Sequence, residues 1–277
     1  MPITKFIPLA AAALLCSCTN VFLQPDRALH LQPERVGVKY ELVRFKSGDG
    51  TPLTGLWFPA AKPPAKGVIV QFHGNGENMT SHFLYVYWLA LEGWDVLCFD
   101  YRGYGISGGD KSLKGAVADG AAALAFARAK APGLPLVVIG QSLGGALALA
   151  SLDRDGGKDL RALVLDSTFS SYRRIAREKL AAHWPTWPFQ WTPYLLISDL
   201  WAPDKLIARR KRVPLLMLAS PDDPVVPYSE GRRLYALAPG PKEFWDVPGD
   251  EHTAAFGSQG AVFRPRLAKF LDSALSR

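Results

Sequence analysis

Short apolar runs rich in β-branched residues alternate along this chain with longer stretches of helical periodicity. Residues 40–45 and 54–58 read as two strands joined across a polar turn that contains Gly48, Asp49 and Gly50. Residues 67–72 form a continuous apolar run, the pattern of a strand covered on both faces. Further strands are predicted over 95–99, 136–139, 160–165, 215–219 and 243–247, and helices over 79–91, 113–131, 143–152, 229–237 and 261–275. Ser112 is placed to cap the alanine-rich second helix, which stops before Pro132 and Gly133. An opening hairpin followed by strand–helix repeats predicts an α/β protein: a mostly parallel eight-stranded sheet with helices on both faces.

One segment breaks the alternation. Residues 169–212 contain no strand pattern, but set Trp184, Trp187, Trp191 and Trp201 among Pro185, Pro188, Pro193 and Pro203. This reads as a small helical Trp/Pro-rich insertion that packs its own core. It is also expected to cap the C-terminal strand ends, where ligands bind in open α/β sheets, with an aromatic side chain lining the pocket. No internal repeat is visible.

The first residues carry a different signal. A single Lys5 precedes an apolar run of about ten residues, too short to span a bilayer and built like a secretory signal. It ends in Leu15-Cys16-Ser17-Cys18, which resembles the bacterial lipobox. That resemblance implies cleavage after Ser17, acylation of Cys18 and a tether over 18–37, leaving the main domain at 38–277. With Thr rather than Asp at position 19, it places the protein at the periplasmic face of the outer membrane of a bacterial envelope. Cys98 then remains as the one thiol, in an apolar strand where it reads as a small buried hydrophobe.

Composition narrows the class further. The 277 residues include only 3 Cys, which excludes a disulfide scaffold, and no apolar run is long enough for a multi-span membrane protein. The formal charge of +7 is spread over the chain. Its densest cluster, Arg209 to Arg212, precedes a strand and reads as a solvated helix end, so no nucleic-acid partner is expected. Neither zinc-type Cys/His spacing nor a phosphate-binding loop occurs, so no metal or organic cofactor is expected.

Gly140-Gln141-Ser142-Leu143-Gly144 lies between an apolar strand and an Ala/Leu helix. In such a strand–turn–helix the serine hydroxyl is exposed on a strained backbone, with the helix N-terminus behind it favouring negative charge. The Leu143 N–H would be one oxyanion donor. Three more motifs accompany it: His73-Gly74-Asn75-Gly76-Glu77-Asn78 after the third strand, Asp100-Tyr101-Arg102-Gly103-Tyr104-Gly105 after the fourth, and Asp223-Pro224-Val225-Val226-Pro227 after a late strand. With these the chain resembles the α/β-hydrolase superfamily, and within it the bacterial lipoprotein-like hydrolases near the serine-aminopeptidase-like group.

The resemblance implies an α/β-hydrolase fold and a triad that runs Ser, acid, His along the chain. Of the five His, only His252 follows the candidate acid. The family pattern selects Asp223 over Asp222, with Asp166 at a strand end as a remoter acid, and it supplies the Asn75 N–H as second oxyanion donor. His73, Arg102 and Tyr104 are read as structural supports. Relatives often carry His-Gly where this chain has Ala219-Ser220. The expected activity is a serine hydrolase that cleaves an ester or related acyl bond in a small-molecule or acyl substrate. The alternatives are an aminopeptidase-like peptidase and a non-catalytic hydrolase-fold binding module at the membrane.

Overall fold

The computed structural model describes residues 19–210 and 212–276. Its eight strands are β1 (Glu41–Lys46), β2 (Pro52–Phe58), β3 (Val68–Phe72), β4 (Asp95–Asp100), β5 (Leu136–Gln141), β6 (Leu160–Asp166), β7 (Leu215–Ala219) and β8 (Lys242–Asp246). They form one sheet in the order β1-β2-β4-β3-β5-β6-β7-β8. The pairs β1–β2 and β2–β4 are antiparallel, and the others are parallel. The expected mostly parallel eight-stranded sheet is what forms.

Alternation by two along each strand sets the layers. In β3, Val68, Val70 and Phe72 enter one apolar cluster and Ile69 the other; in β5, Leu136 and Val138 oppose Val137 and Ile139. Helices α1 (Leu113–Lys130), α2 (Leu143–Asp155), α3 (Tyr172–Ala181) and α4 (Tyr228–Leu237) contribute to the first cluster, and α5 (Gly260–Leu275) to the second. Ser112 caps α1 as expected, its hydroxyl accepting the Gly115 N–H at 3.3 Å. Cys98 is buried in the second cluster, and burial pushes its thiol well above the ordinary range.

Two expectations fail for identifiable reasons. The helix expected over 79–91 is one helical turn, Met79–His82, followed by the 3₁₀ turns Phe83–Tyr85 and Tyr87–Ala90. Among its six buried residues, Phe83, Val86 and Leu89 recur every third position, as the period of a 3₁₀-helix requires, with Met79, Trp88 and Ala90 beside them. The segment read as a tether is laid against the domain from Thr19 onward. Leu23 is buried, and Phe22 packs against Phe169 and Tyr172 at ring distances of 6.3 and 5.2 Å. The Gly105 N–H donates to the Asp26 carbonyl at 2.8 Å, and the Asn78 amide to the Ala28 carbonyl at 2.7 Å. Two adjacent apolar residues, Phe22 and Leu23, give this segment a reason to dock, while Val21 stays exposed. Residues 1–18, with the signal and Cys18, lie outside the described residues.

Between β6 and β7 the insertion contains α3, a 3₁₀ turn at Trp187–Phe189 and one-turn helices at Pro193–Leu196 and Pro203–Ile207. Each of the last three has Pro at its first or second position, where the missing N–H is harmless. Trp201 packs partly against the main core, but Trp184, Trp187 and Trp191 are exposed.

Packing is tight where α2 crosses β3. A Cβ on Gly144 would stand 2.1 Å from the Phe72 carbonyl oxygen and 2.4 Å from that of His73. Gly144→Ala is therefore expected to lower stability by about 2 kcal/mol or more in chemical denaturation. That is the reverse of the gain that Gly→Ala gives in a helix interior free of such contacts.

Candidate active site

Ser142 stands between β5 and α2 with φ 53° and ψ −121°, a region that L-residues rarely adopt. The sequence around it explains why this is tolerated. A Cβ on Gly140 would lie 2.6 Å from the Gly145 Cα, and one on Gly145 would lie 2.0 Å from the Thr168 hydroxyl, so larger side chains cannot fit the turn. The Ser142 N–H donates to the Asp166 carbonyl at 2.8 Å. Its hydroxyl makes no capping bond to α2, so it is not committed to the helix.

β5, β6, β7 and β8 are adjacent and parallel, so their C-terminal ends share one edge of the sheet. Ser142 follows β5, Asp166 ends β6, Asp223 follows β7 and His252 follows β8. Asp223 Oδ1 accepts the N–H groups of Val225 and Val226 at 2.8 and 2.9 Å, which fixes the carboxylate. Its Oδ2 lies 2.7 Å from His252 Nδ1. Burial alone would raise the Asp223 pKa. The hydrogen bond and charge of His252, with the two N–H groups, outweigh burial and leave the carboxyl below its ordinary value. Asp222 is exposed, and it is Asp223 that the structure joins to His252.

His252 Nε2 is buried without a hydrogen-bond partner. The structure thus joins His252 to Asp223, while Ser142 sits at the same sheet edge without a hydrogen bond to the imidazole. The loop after β3 runs beside the serine: a Cβ on Gly74 would be 3.7 Å from Ser142 Cβ. Next in that loop, the Asn75 side-chain oxygen accepts from the Gln24 N–H at 2.8 Å and the Tyr104 hydroxyl at 3.1 Å. The Leu143 N–H lies at the N-terminus of α2, where the helix dipole is positive.

His73 is buried, with Nδ1 2.8 Å from the Gly74 carbonyl and Nε2 3.3 Å from Asp100, and its ring lies 4.5 Å from that of Tyr101. Arg102 bridges Asp119 and Asp49 at 2.7 and 2.9 Å.

Two features escaped the sequence. Ser220, which read as a departure from the family pattern, is buried; its hydroxyl donates to the Gly249 carbonyl and accepts the Asp222 N–H, tying the acid loop to the His252 loop. A buried polar row also crosses the strand ends beneath the serine: the Gln71 amide donates to Gln141 at 2.9 Å, and Gln141 is paired in register with Asp166. The signal was there, since both Gln and Asp interrupt otherwise apolar strand ends. The Asp166 carboxyl is pushed up to about 6, chiefly by burial, despite the opposing pull of the His252 charge.

A carboxyl whose folded pKa is raised binds more protons in the folded state, so its contribution to stability falls as pH rises through about 4 to 6. Asp166→Asn is expected to remove that loss and stabilise the protein by about 2–3 kcal/mol at pH 8 relative to wild type. Denaturation midpoints at pH 8 and below pH 4 check this, the difference vanishing in acid.

Comparison with known proteins places this geometry. Residues 63–208 match the family described as serine aminopeptidase, S33. The uncharacterized protein YfhR of Escherichia coli K12 is 35% identical over 263 residues, covering 93% of this chain and 88% of that one. The lysophosphatidylserine lipase ABHD12 of Mus musculus is 29% identical over 239 residues, covering 82% of this chain but 58% of the lipase. The esterase Pf2001 of Pyrococcus furiosus has the same fold, with a TM-score of 0.71 at 20% identity over 91% of this chain and 98% of that one. The chain is an α/β hydrolase and belongs to the S33 serine-aminopeptidase-like family.

Proposed function

We propose that this hydrolase cleaves carboxylic esters through Ser142, His252 and Asp223. The observation that carries the reading is the His252–Asp223 pair at 2.7 Å, whose far imidazole nitrogen is unpartnered at the sheet edge occupied by Ser142. Asp223 accepts the Nδ1–H of His252, which leaves Nε2 as the base. As Ser142 Oγ attacks the substrate carbonyl carbon, Nε2 takes its proton and the carbonyl oxygen becomes an oxyanion. The Leu143 and Asn75 N–H groups stabilise that charge, each donor supplying about 3 kcal/mol in comparable sites. Collapse breaks the ester bond, and the alkoxide leaves with the proton returned by His252. Water, deprotonated by the same nitrogen, then releases the acid and restores Ser142.

The esterase fold of the Pyrococcus protein and the lipase activity named for ABHD12 favour acyl esters. The family description favours a second reading, hydrolysis of N-terminal aminoacyl bonds by the same groups. Assays with p-nitrophenyl acyl esters of increasing chain length and with aminoacyl anilides separate the two. Turnover of the esters with little anilide cleavage is expected. Ser142→Ala should lower kcat by at least about 1000-fold, and Asp223→Asn by about 1000- to 10,000-fold. Esters cleaved by Ser142→Ala at the wild-type rate would overturn the assignment.

The N-terminal reading remains part of this proposal: acylation of Cys18 would hold the enzyme at the periplasmic face of the outer membrane. Mass spectrometry of the mature N-terminus is expected to find a diacylglyceryl-modified Cys18, and an unmodified chain beginning elsewhere would contradict it.

A further inference from the structure

The insertion presents a surface that neither the fold nor the catalytic groups account for. From Leu180 to Ser198 there is no Asp, Glu, Lys or Arg. The segment closes its backbone on itself through short turns, with the Trp187, Phe189 and Thr192 N–H groups each donating at 2.9 Å to the His183, Thr186 and Phe189 carbonyls. The hydroxyls of Thr186 and Thr192 turn back to the carbonyls of Leu180 and Phe189, both at 2.8 Å. What remains outward is apolar: Trp184 is 87% exposed, Leu195 62%, Trp187 58% and Trp191 57%, with Phe189, Tyr194 and Leu196 close behind. Large rings left in water without a partner mark an interaction surface.

Three observations identify the occupant. The side chains are Trp, Tyr, Phe and Leu over an internally satisfied backbone, the chemistry of a segment that enters the headgroup boundary of a bilayer. The adjoining α3 carries Arg173, Arg174, Arg177 and Lys179 beside Glu178; Arg174 lies 3.3 Å from the buried Glu230 of α4, and the Arg173 guanidinium holds the segment by donating to the Ile197 carbonyl at 2.6 Å. That charge complements anionic headgroups. Lastly, the Ser198 N–H donates to the Thr19 hydroxyl at 3.0 Å. Thr19, which follows the expected acylation position Cys18 in the sequence, is thus bonded to this face. A weak apolar contact and an acyl chain entering the same leaflet would act as the two signals that stable anchoring takes.

We infer that residues 183–198 form a docking surface for an anionic lipid bilayer, with Trp184, Trp187 and Trp191 seated among the headgroups. Lys179 on the same insertion donates to the Pro224 carbonyl at 3.0 Å, beside Asp223, so the docked face adjoins the acid loop. Resting on the esterase reading above, this assigns acyl esters carried in the membrane as the substrate class. The docking itself does not depend on that reading.

The test uses the full chain with Cys18→Ser, so that acylation cannot contribute, and vesicles of phosphatidylcholine with or without about 30 mol% phosphatidylglycerol. The parent should co-sediment with the anionic vesicles and show blue-shifted tryptophan emission quenched by brominated lipid. Trp184→Ala/Trp187→Ala/Trp191→Ala should lower partitioning by at least about tenfold, and Arg177→Gln by about fivefold on anionic vesicles only. Trp184→Ala alone gives the same direction if the triple variant folds poorly. Ser142→Ala should bind as the parent does, which separates loss of docking from loss of hydrolysis. A parent that stays in the aqueous phase, a triple variant that binds equally, or a dimer that hides these tryptophans and ignores vesicles would overturn the inference.

Discussion

The approach of α2 to the end of β3 governs the geometry of the site. Gly144 packs its Cα against the Phe72 and His73 carbonyls, and Gly140 packs against Gly145, so strand and helix meet with no room for a relaxed connection. The chain turns between them in one residue, and Ser142 takes the strained conformation that results, of a kind that costs about 1–3 kcal/mol. That same turn leaves the serine hydroxyl free of capping duty and sets the Leu143 N–H at the positive end of α2. The strain at Ser142, its uncommitted hydroxyl and the position of the Leu143 N–H are thus consequences of one packing contact.

Around the turn the strand ends divide two carboxyls into different roles. Asp223 sits in a web of N–H donors and faces the imidazole, so it holds its charge below the ordinary range. Asp166, on the strand between the serine and the acid loop, has Oδ2 without a partner and is raised by burial. Environments that separate two neighbouring carboxyls in this way keep the one bonded to the imidazole ionised while the other resists ionisation. Ser220 adds the mechanical link, joining the loop that carries Asp223 to the loop that carries His252. The insertion extends this arrangement outward. The N–H and hydroxyl of Ser170 bond Glu230 at the start of α4, and Lys179 reaches the acid loop, so the exposed aromatic face is attached to the site rather than independent of it.

Much of the fold was legible because the central strands are continuous apolar runs bounded by strong turn residues, a pattern with few alternatives. The tight turn at Ser142 was legible because it demands glycines at fixed spacing, whereas the expected order of serine, acid and histidine came from the resemblance to α/β hydrolases. What escaped depended on tertiary contacts. Residues 79–91 are apolar enough for a helix, and only the three-residue recurrence of Phe83, Val86 and Leu89 gives away the 3₁₀ turns. The segment after Cys18 reads as a tether until Phe22 finds Phe169 and Tyr172, nearly 150 residues away. Ser220 lost its significance in the comparison with a family pattern, because its partner is a carbonyl on another loop. An aromatic side chain of the insertion was expected to line a pocket; the structure turns Trp184, Trp187 and Trp191 to solvent and packs Trp201 partly against the core.

Mapping the adduct formed with a fluorophosphonate probe tests the central claim most directly, since it reports nucleophile and base together. The account predicts a single phosphonylated peptide carrying the adduct on Ser142, and labelling slowed by at least about 100-fold in His252→Gln. Native protein that stays unlabelled, or labelling that proceeds equally without the imidazole, would contradict it.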